Sequence, residues 1–214
     1  MLFTSGSTGD PKGVEVSHGA LTNFLVSMAH TPGIRAADRV LALTTISFHI
    51  AGLELHLPLT HGACVELVDN ETAGNPKLLA ERIARVRPTV VQATPATWQM
   101  LLEAGWEGDR SIRALCGGEA MTTKLAHRLS RRVGELWNMY GPTETTIWSA
   151  IFRVHPDAES VPIGSPIHNT TIHVLDDALE PVPRGVIGEI FIGGDGVADG
   201  YHKNRELTRA RFVH

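Results

Sequence analysis

The chain has 214 residues, 43% hydrophobic and 20% charged, with a formal net charge of -4. That is an ordinary soluble globular composition, enough for one large domain or one and a half, and no basic stretch invites a nucleic acid. Apolar runs fall far short of the roughly 18 residues a membrane span needs, and the start lacks the cationic and apolar regions of a signal peptide, so no membrane association is expected.

Residues 2–13, Leu-Phe-Thr-Ser-Gly-Ser-Thr-Gly-Asp-Pro-Lys-Gly, set hydroxyls, glycines and one lysine directly after an apolar start. Gly6 and Gly9 let the backbone take positive φ and turn its N–H groups inward. Thr4, Ser5, Ser7 and Thr8 add hydroxyl donors, and Lys12 adds a full positive charge, so the loop suits a polyphosphate. A Ser/Gly linker shares the small residues but has no reason to end in Pro-Lys-Gly. The Walker loop does not fit, because Lys12 stands between Pro11 and Gly13 where that motif needs Gly-Lys-Ser/Thr opening a helix.

Helix and strand signals then alternate. Residues 13–16 read as a strand, and Ser17 caps a helix with Leu21, Phe24, Leu25 and Met28 on one face. Residues 39–44 and 63–68 are strand-like. Asn75-Pro76 opens a helix faced by Leu79, Ile83 and Val86, which Pro88 prevents from continuing. Residues 89–92 read as a buried strand, Thr94-Pro95 opens a helix faced by Trp98, Leu101 and Leu102, residues 112–116 form a strand, and Leu125 and Leu129 mark another helix. This rhythm predicts an α/β fold, a parallel sheet with helices on both faces, over residues 1–150.

Near residue 150 the pattern changes. Pro/Gly turns and β-branched runs at 170–175 and 186–192 predict the start of a smaller β-rich subdomain over residues 151–214. Residues 194–200, Gly-Asp-Gly-Val-Ala-Asp-Gly, have the wrong spacing for a dinucleotide fingerprint and read as a turn. Cys64 and Cys116 sit in apolar, strand-like settings and are expected to be buried free thiols, which suits a reducing cytoplasm. The chain's 11 histidines are not gathered by metal-ligand spacing.

The phosphate loop resembles that of the adenylate-forming enzymes, which join a carboxylate to AMP and pass the acyl group to a thiol. Three further segments carry the resemblance in the family's order: Ser47-Phe48-His49-Ile50-Ala51-Gly52-Leu53-Glu54, which is similar to the segment that meets the substrate; Asn138-Met139-Tyr140-Gly141-Pro142-Thr143-Glu144-Thr145-Thr146, similar to the adenine and magnesium motif; and Gly188-Glu189-Ile190-Phe191-Ile192-Gly193-Gly194, running on to Gly200-Tyr201. Within the superfamily these look most like adenylation domains of nonribosomal peptide synthetases. Relative to that family, the N-terminal subdomain, the ribose-gripping Thr-Gly-Asp segment and the C-terminal domain with its catalytic lysine are absent. The chain is therefore expected to be a fragment with little or no activity alone.

The resemblance implies roles. ATP and Mg2+ would be used, with Lys12 and the hydroxyl loop (Thr4, Ser5, Gly6, Ser7, Thr8, Gly9) steadying the β- and γ-phosphates, Thr143 contacting the α-phosphate and Glu144 holding magnesium. Tyr140 would pack on adenine beside Asn138 and Gly141, and the turn at Gly118, Glu119 and Ala120 would let the backbone approach the base. The implied partners are a peptidyl carrier protein bearing phosphopantetheine, the other synthetase domains, and a small carboxylic or amino acid. The implied pocket is His49, Ile50, Leu53, Gln92, Leu115, Gly117, Met139, Ile147 and Trp148; apart from His49 it resembles pockets for glycine, with Trp148 and Met139 bulky enough to close the side-chain space. Each could equally be ordinary core.

His49 departs from the amino-acid pattern, which has aspartate there to pair with the substrate's α-ammonium. Leaving that cation without its counter-ion costs on the order of 3–5 kcal/mol, several hundredfold or more in affinity. Phe-His-x-x-Gly also resembles acyl- and aryl-CoA ligases, so His49 marks either a changed substrate or a lesion.

Overall fold

The computed structural model describes residues 1–4 and 11–213. It opens with β1 (Leu2–Thr4) antiparallel to β2 (Lys12–Val14), Thr4 opposite Lys12. Ser17 then caps α1 (His18–Met28), its hydroxyl accepting from the Ala20 N–H at 3.1 Å. Next come β3 (Arg39–Ala42), α2 (Ala51–Thr60), β4 (Cys64–Leu67), the short α3 (Asn70–Gly74) and α4 (Pro76–Val86). The chain continues through β5 (Val90–Ala93), α5 (Pro95–Glu103), β6 (Asp109–Gly117), α6 (Thr123–Ser130), β7 (Val133–Tyr140) and β8 (Ala150–Val154). It ends with β9 (Ser165–Pro166), β10 (Thr170–Leu175), β11 (Glu189–Gly194) and α7 (Arg205–Arg211).

The main sheet has seven strands in the order β4-β3-β5-β6-β7-β8-β9, parallel from β4 to β7 and antiparallel beyond. Alternation along each strand splits the core into two layers. Leu41, Val91, Ala114 and Leu136 face α4, α5 and α6, whose Leu79, Ile83, Trp98, Leu101 and Leu129 complete one cluster. Val40, Val90, Leu115 and Met139 face Phe24, Met28, Leu53 and Leu57 of α1 and α2 in the other. Each such side chain contributes about 1.5–3 kcal/mol on burial, so a truncation such as Ile83→Ala costs roughly 2–5 kcal/mol. Helices therefore cover both faces, as the alternating pattern predicts.

Three details differ from what the sequence pattern announces. The residue-150 boundary falls on the first residue of β8, a strand of the main sheet, and the sheet runs on through β9; the separate β10–β11 ribbon starts at Thr170. Helix α2 is unannounced because Leu53, Leu55, Leu57 and Leu59 alternate with Glu54, His56, Pro58 and Thr60 at the period of a strand, and Pro58 lies inside it. Cys64 is exposed, at the start of an edge strand whose faces are only partly covered; Cys116 is buried. None of the described helices is long and apolar enough to cross a membrane.

Candidate active site

The parallel strands deliver their carboxyl ends to one edge, where open α/β sheets bind ligands. Gln92 lies near the end of β5, Leu115 and Gly117 at the end of β6, and Met139 and Tyr140 at the end of β7. Gly117 pairs with Met139 in the ladder. The exposed turn Gly118-Glu119-Ala120 and half-buried Tyr140 therefore leave the sheet side by side. Gly118 has φ +90°, and a Cβ there would stand 3.4 Å from Ile50, so the backbone rather than a side chain borders the crevice.

Between β7 and β8 the chain turns sharply through a 3-10 turn, Thr143–Thr145. Thr146 and Ile147 are held at φ 61° and 70°, a strained state for β-branched residues. Backbone and hydroxyl bonds hold it: Ser149 N–H donates to the Tyr140 carbonyl at 2.7 Å, the Thr146 hydroxyl to the Gly196 carbonyl at 2.8 Å, and Ala198 N–H to the Glu144 carbonyl at 2.8 Å. The result leaves Glu144 half-buried beside buried Thr143, while Ile147 and Trp148 turn into the core.

His49, on the turn between β3 and α2, has its Nδ1 2.9 Å from Thr143 Oγ1, and its Nε2 is buried with no partner among the described residues. Burial pulls the imidazole below its ordinary pKa, outweighing the raising effect of the Glu144 charge, so the ring is held neutral. The Tyr201 hydroxyl donates to Glu144 Oε1 at 2.5 Å, and burial and that carboxylate push the phenol well above its ordinary pKa. With one oxygen held, Glu144 keeps a second free of protein partners among the described residues, which fits a hard cation bound through a single carboxylate.

The pocket residues do come together. Ile50, Leu53, Leu115, Met139, Ile147 and Trp148 belong to one buried cluster. Gln92 ties them: its Nε2 donates to the Ile50 carbonyl at 3.0 Å and its Oε1 accepts from Trp148 Nε1 at 3.0 Å. A Cβ at Gly117 would lie 2.6 Å from Trp148 Cη2 and 2.6 Å from the Met139 carbonyl oxygen. Gly141 likewise approaches the Ile147 carbonyl, 2.6 Å from a built Cβ.

Asn138 stands apart from this group: its amide donates to the Pro162 carbonyl at 2.9 Å, bracing the β8–β9 connection. Thr4 and Lys12 face each other as a paired rung, while Ser5, Gly6, Ser7, Thr8 and Gly9, expected to hold phosphate, lie outside the described residues. Two residues without an expected role are Tyr201 and Glu54. Tyr201 bridges to Val14 of β2 as well as to Glu144. Glu54 shares the buried face of α2 with Leu53 and Leu57, and the strand-like alternation of the segment gives no sign of it.

A family model described as AMP-binding enzyme matches residues 1–202. Over 214 residues the chain is 46% identical to a PKS-NRPS hybrid synthetase of Aspergillus candidus and 45% identical to a dimodular nonribosomal peptide synthase of Bacillus subtilis. All of this chain is covered, but it spans 8% and 9% of those relatives. It matches a four-domain holo nonribosomal peptide synthetase bound to AMP and glycine with TM-score 0.95 at 44% identity, covering 100% of this chain and 16% of that one. The N-terminal subdomain of Klebsiella oxytoca NpsA, in complex with 3-hydroxyanthranilyl-AMSN, matches with TM-score 0.83 at 27% identity, covering 99% and 54%.

Proposed function

The chain belongs to the family of AMP-binding enzymes, and on that premise we propose that it serves to activate a small carboxylic acid, glycine or a close relative, as its acyl-adenylate. The acyl group would pass to the phosphopantetheine thiol of a peptidyl carrier protein among the other domains of a nonribosomal peptide synthetase. One observation carries the size of the acid: the Trp148 indole, buried and anchored on Gln92, stands so close to Gly117 that an added Cβ would lie 2.6 Å away. Met139 and Ile147 are buried in the same cluster as Trp148, which supports a small acid.

In the reaction, a carboxylate oxygen attacks the α-phosphorus of ATP, the bond to the bridging oxygen breaks and pyrophosphate leaves. The barrier is largely repulsion between anions. Lys12 would steady the β- and γ-phosphates, the Thr143 hydroxyl would donate to the α-phosphate, and Tyr140 with the Gly118–Ala120 turn would hold adenine. Glu144 would hold Mg2+, which supplies charge neutralisation between phosphate oxygens. Tyr201 keeps the Glu144 carboxylate oriented for that task.

A second reading rests on His49. A neutral imidazole turned toward Thr143 gives no counter-ion to an α-ammonium, which favours a small acid lacking that group, as in a coenzyme A ligase. The test of the first reading is competition between sulfamoyl-adenosine mimics of glycyl, phenylalanyl and acetyl adenylates for the purified chain. Preference for glycyl or acetyl over phenylalanyl supports the small pocket; a phenylalanyl preference removes it. Acetyl well above glycyl favours the second reading.

A further inference from the structure

Glu54 is wholly buried, at 0% exposure, and among the described residues it makes no ion pair. Burial pushes its pKa above the ordinary carboxylate value, and the charged form needs donors around it. It has them: Oε2 accepts from Thr44 N–H at 2.9 Å, and Oε1 accepts from the Thr44 hydroxyl at 2.6 Å and from Gln92 Nε2 at 2.9 Å. Its place in the first turn of α2 adds the favourable end of the helix dipole.

The donor and acceptor sense of this network runs one way. Gln92 spends both amide hydrogens, one on the Ile50 carbonyl and one on Glu54, and so presents its Oε1 to Trp148. An indole N–H can only donate, so it requires an acceptor there. We propose that Glu54 is a positioning residue for substrate size, fixing the Gln92 amide so that Trp148 is pinned as the wall closing the acid cleft. This rests on the reading that Gln92 and Trp148 line that cleft.

Glu54→Gln tests the sense of the bonds with almost no change of shape. The new amide N–H2 must face a donor, either Thr44 N–H or Gln92 Nε2. If Gln92 turns over to meet it, its own N–H2 then faces the Trp148 indole. One buried donor is orphaned in either case.

The experiment is hydrogen exchange of the indole N–H groups of the 15N-labelled chain, read by NMR, with Trp148→Phe assigning its signal. Trp98, whose Nε1 donates to the Leu115 carbonyl at 3.3 Å and shares no hydrogen bond with Glu54, Gln92 or Trp148, is the internal control. In Glu54→Gln the Trp148 N–H is expected to exchange roughly tenfold faster while Trp98 keeps its rate. Thr44→Val, which removes the hydroxyl from Oε1, is expected to shift Trp148 alone by a smaller factor and decides the matter if Glu54→Gln does not fold. A Trp148 rate unchanged in both variants, or both indoles accelerating together, overturns the proposal. Binding of glycyl and valyl sulfamoyl-adenosines then reads size: the wild-type preference for glycyl is expected to fall about tenfold in Glu54→Gln, and an unchanged preference overturns the size role. A wild-type chain with no such preference defeats the small-acid reading, while the indole rates still decide whether Glu54 pins Trp148.

Discussion

The Tyr201 hydroxyl donates to Glu144 Oε1 at 2.5 Å while the Tyr201 backbone bridges to Val14, so one residue registers the Glu144 carboxylate against strand β2. The neighbouring backbone strengthens the tie: Glu15 N–H donates to the Gly200 carbonyl at 2.9 Å and His202 N–H to the Gly13 carbonyl at 2.8 Å. Tyr201→Phe keeps the ring and removes the bond. It is expected to cost about 1 kcal/mol in urea unfolding at neutral pH, since a partly exposed partner weakens a charge-assisted bond. Folding raises the Tyr201 pKa, so this stabilisation is full below the ordinary tyrosine value of about 10 and is lost as pH rises above it. The wild-type advantage over Tyr201→Phe should therefore shrink in alkaline solution.

His49 gives the opposite signature. Burial lowers its pKa, so below the ordinary histidine value of 6.5 the unfolded chain takes up a proton that the folded imidazole resists. Wild-type stability relative to His49→Asn should fall as pH drops through that region. Paired denaturation curves at several pH values measure it, and a pH-independent difference would show that the ring is freely solvated.

Gly117→Ala should be costly in two ways. The new methyl would meet the Met139 carbonyl and the Trp148 ring at 2.6 Å, and the backbone oxygen cannot give way cheaply. Overpacking of this kind costs about 1–3 kcal/mol. Thermal unfolding should show that loss, and calorimetry should show weaker binding of a glycyl-adenylate mimic.

Much of the architecture was legible because its signals are local. Ser17, Asn75-Pro76 and Thr94-Pro95 announce helix starts, and each caps or opens the helix expected of it. Strands β7 and β8 were harder, because Gly134, Glu135 and Asn138 break the apolar run of Val133–Tyr140 and pairing across the turn supplies what periodicity does not. In the candidate site, the motif residues Thr143 and Glu144 stand together on one 3-10 turn, as their adjacency in sequence requires. The site was not legible where function depends on the sense of a hydrogen bond between distant residues. Nothing local to Glu54, Gln92 or Trp148 reveals that they form one chain of donors and acceptors. The bond between His49 and Thr143, 94 positions apart, is equally a product of the fold.

The central claim, that this crevice activates a small acid, is tested most directly by ATP–pyrophosphate exchange. The protein to use is a complete adenylation domain carrying this chain in place of its matching segment, as found and with His49→Asp. The substrates are glycine, alanine, β-alanine, phenylalanine and small acids without an amino group. The account predicts exchange with small acids only, and a gain with glycine of several hundredfold in His49→Asp, the size expected for restoring a buried counter-ion. Strong exchange with phenylalanine and none with the small acids would contradict it.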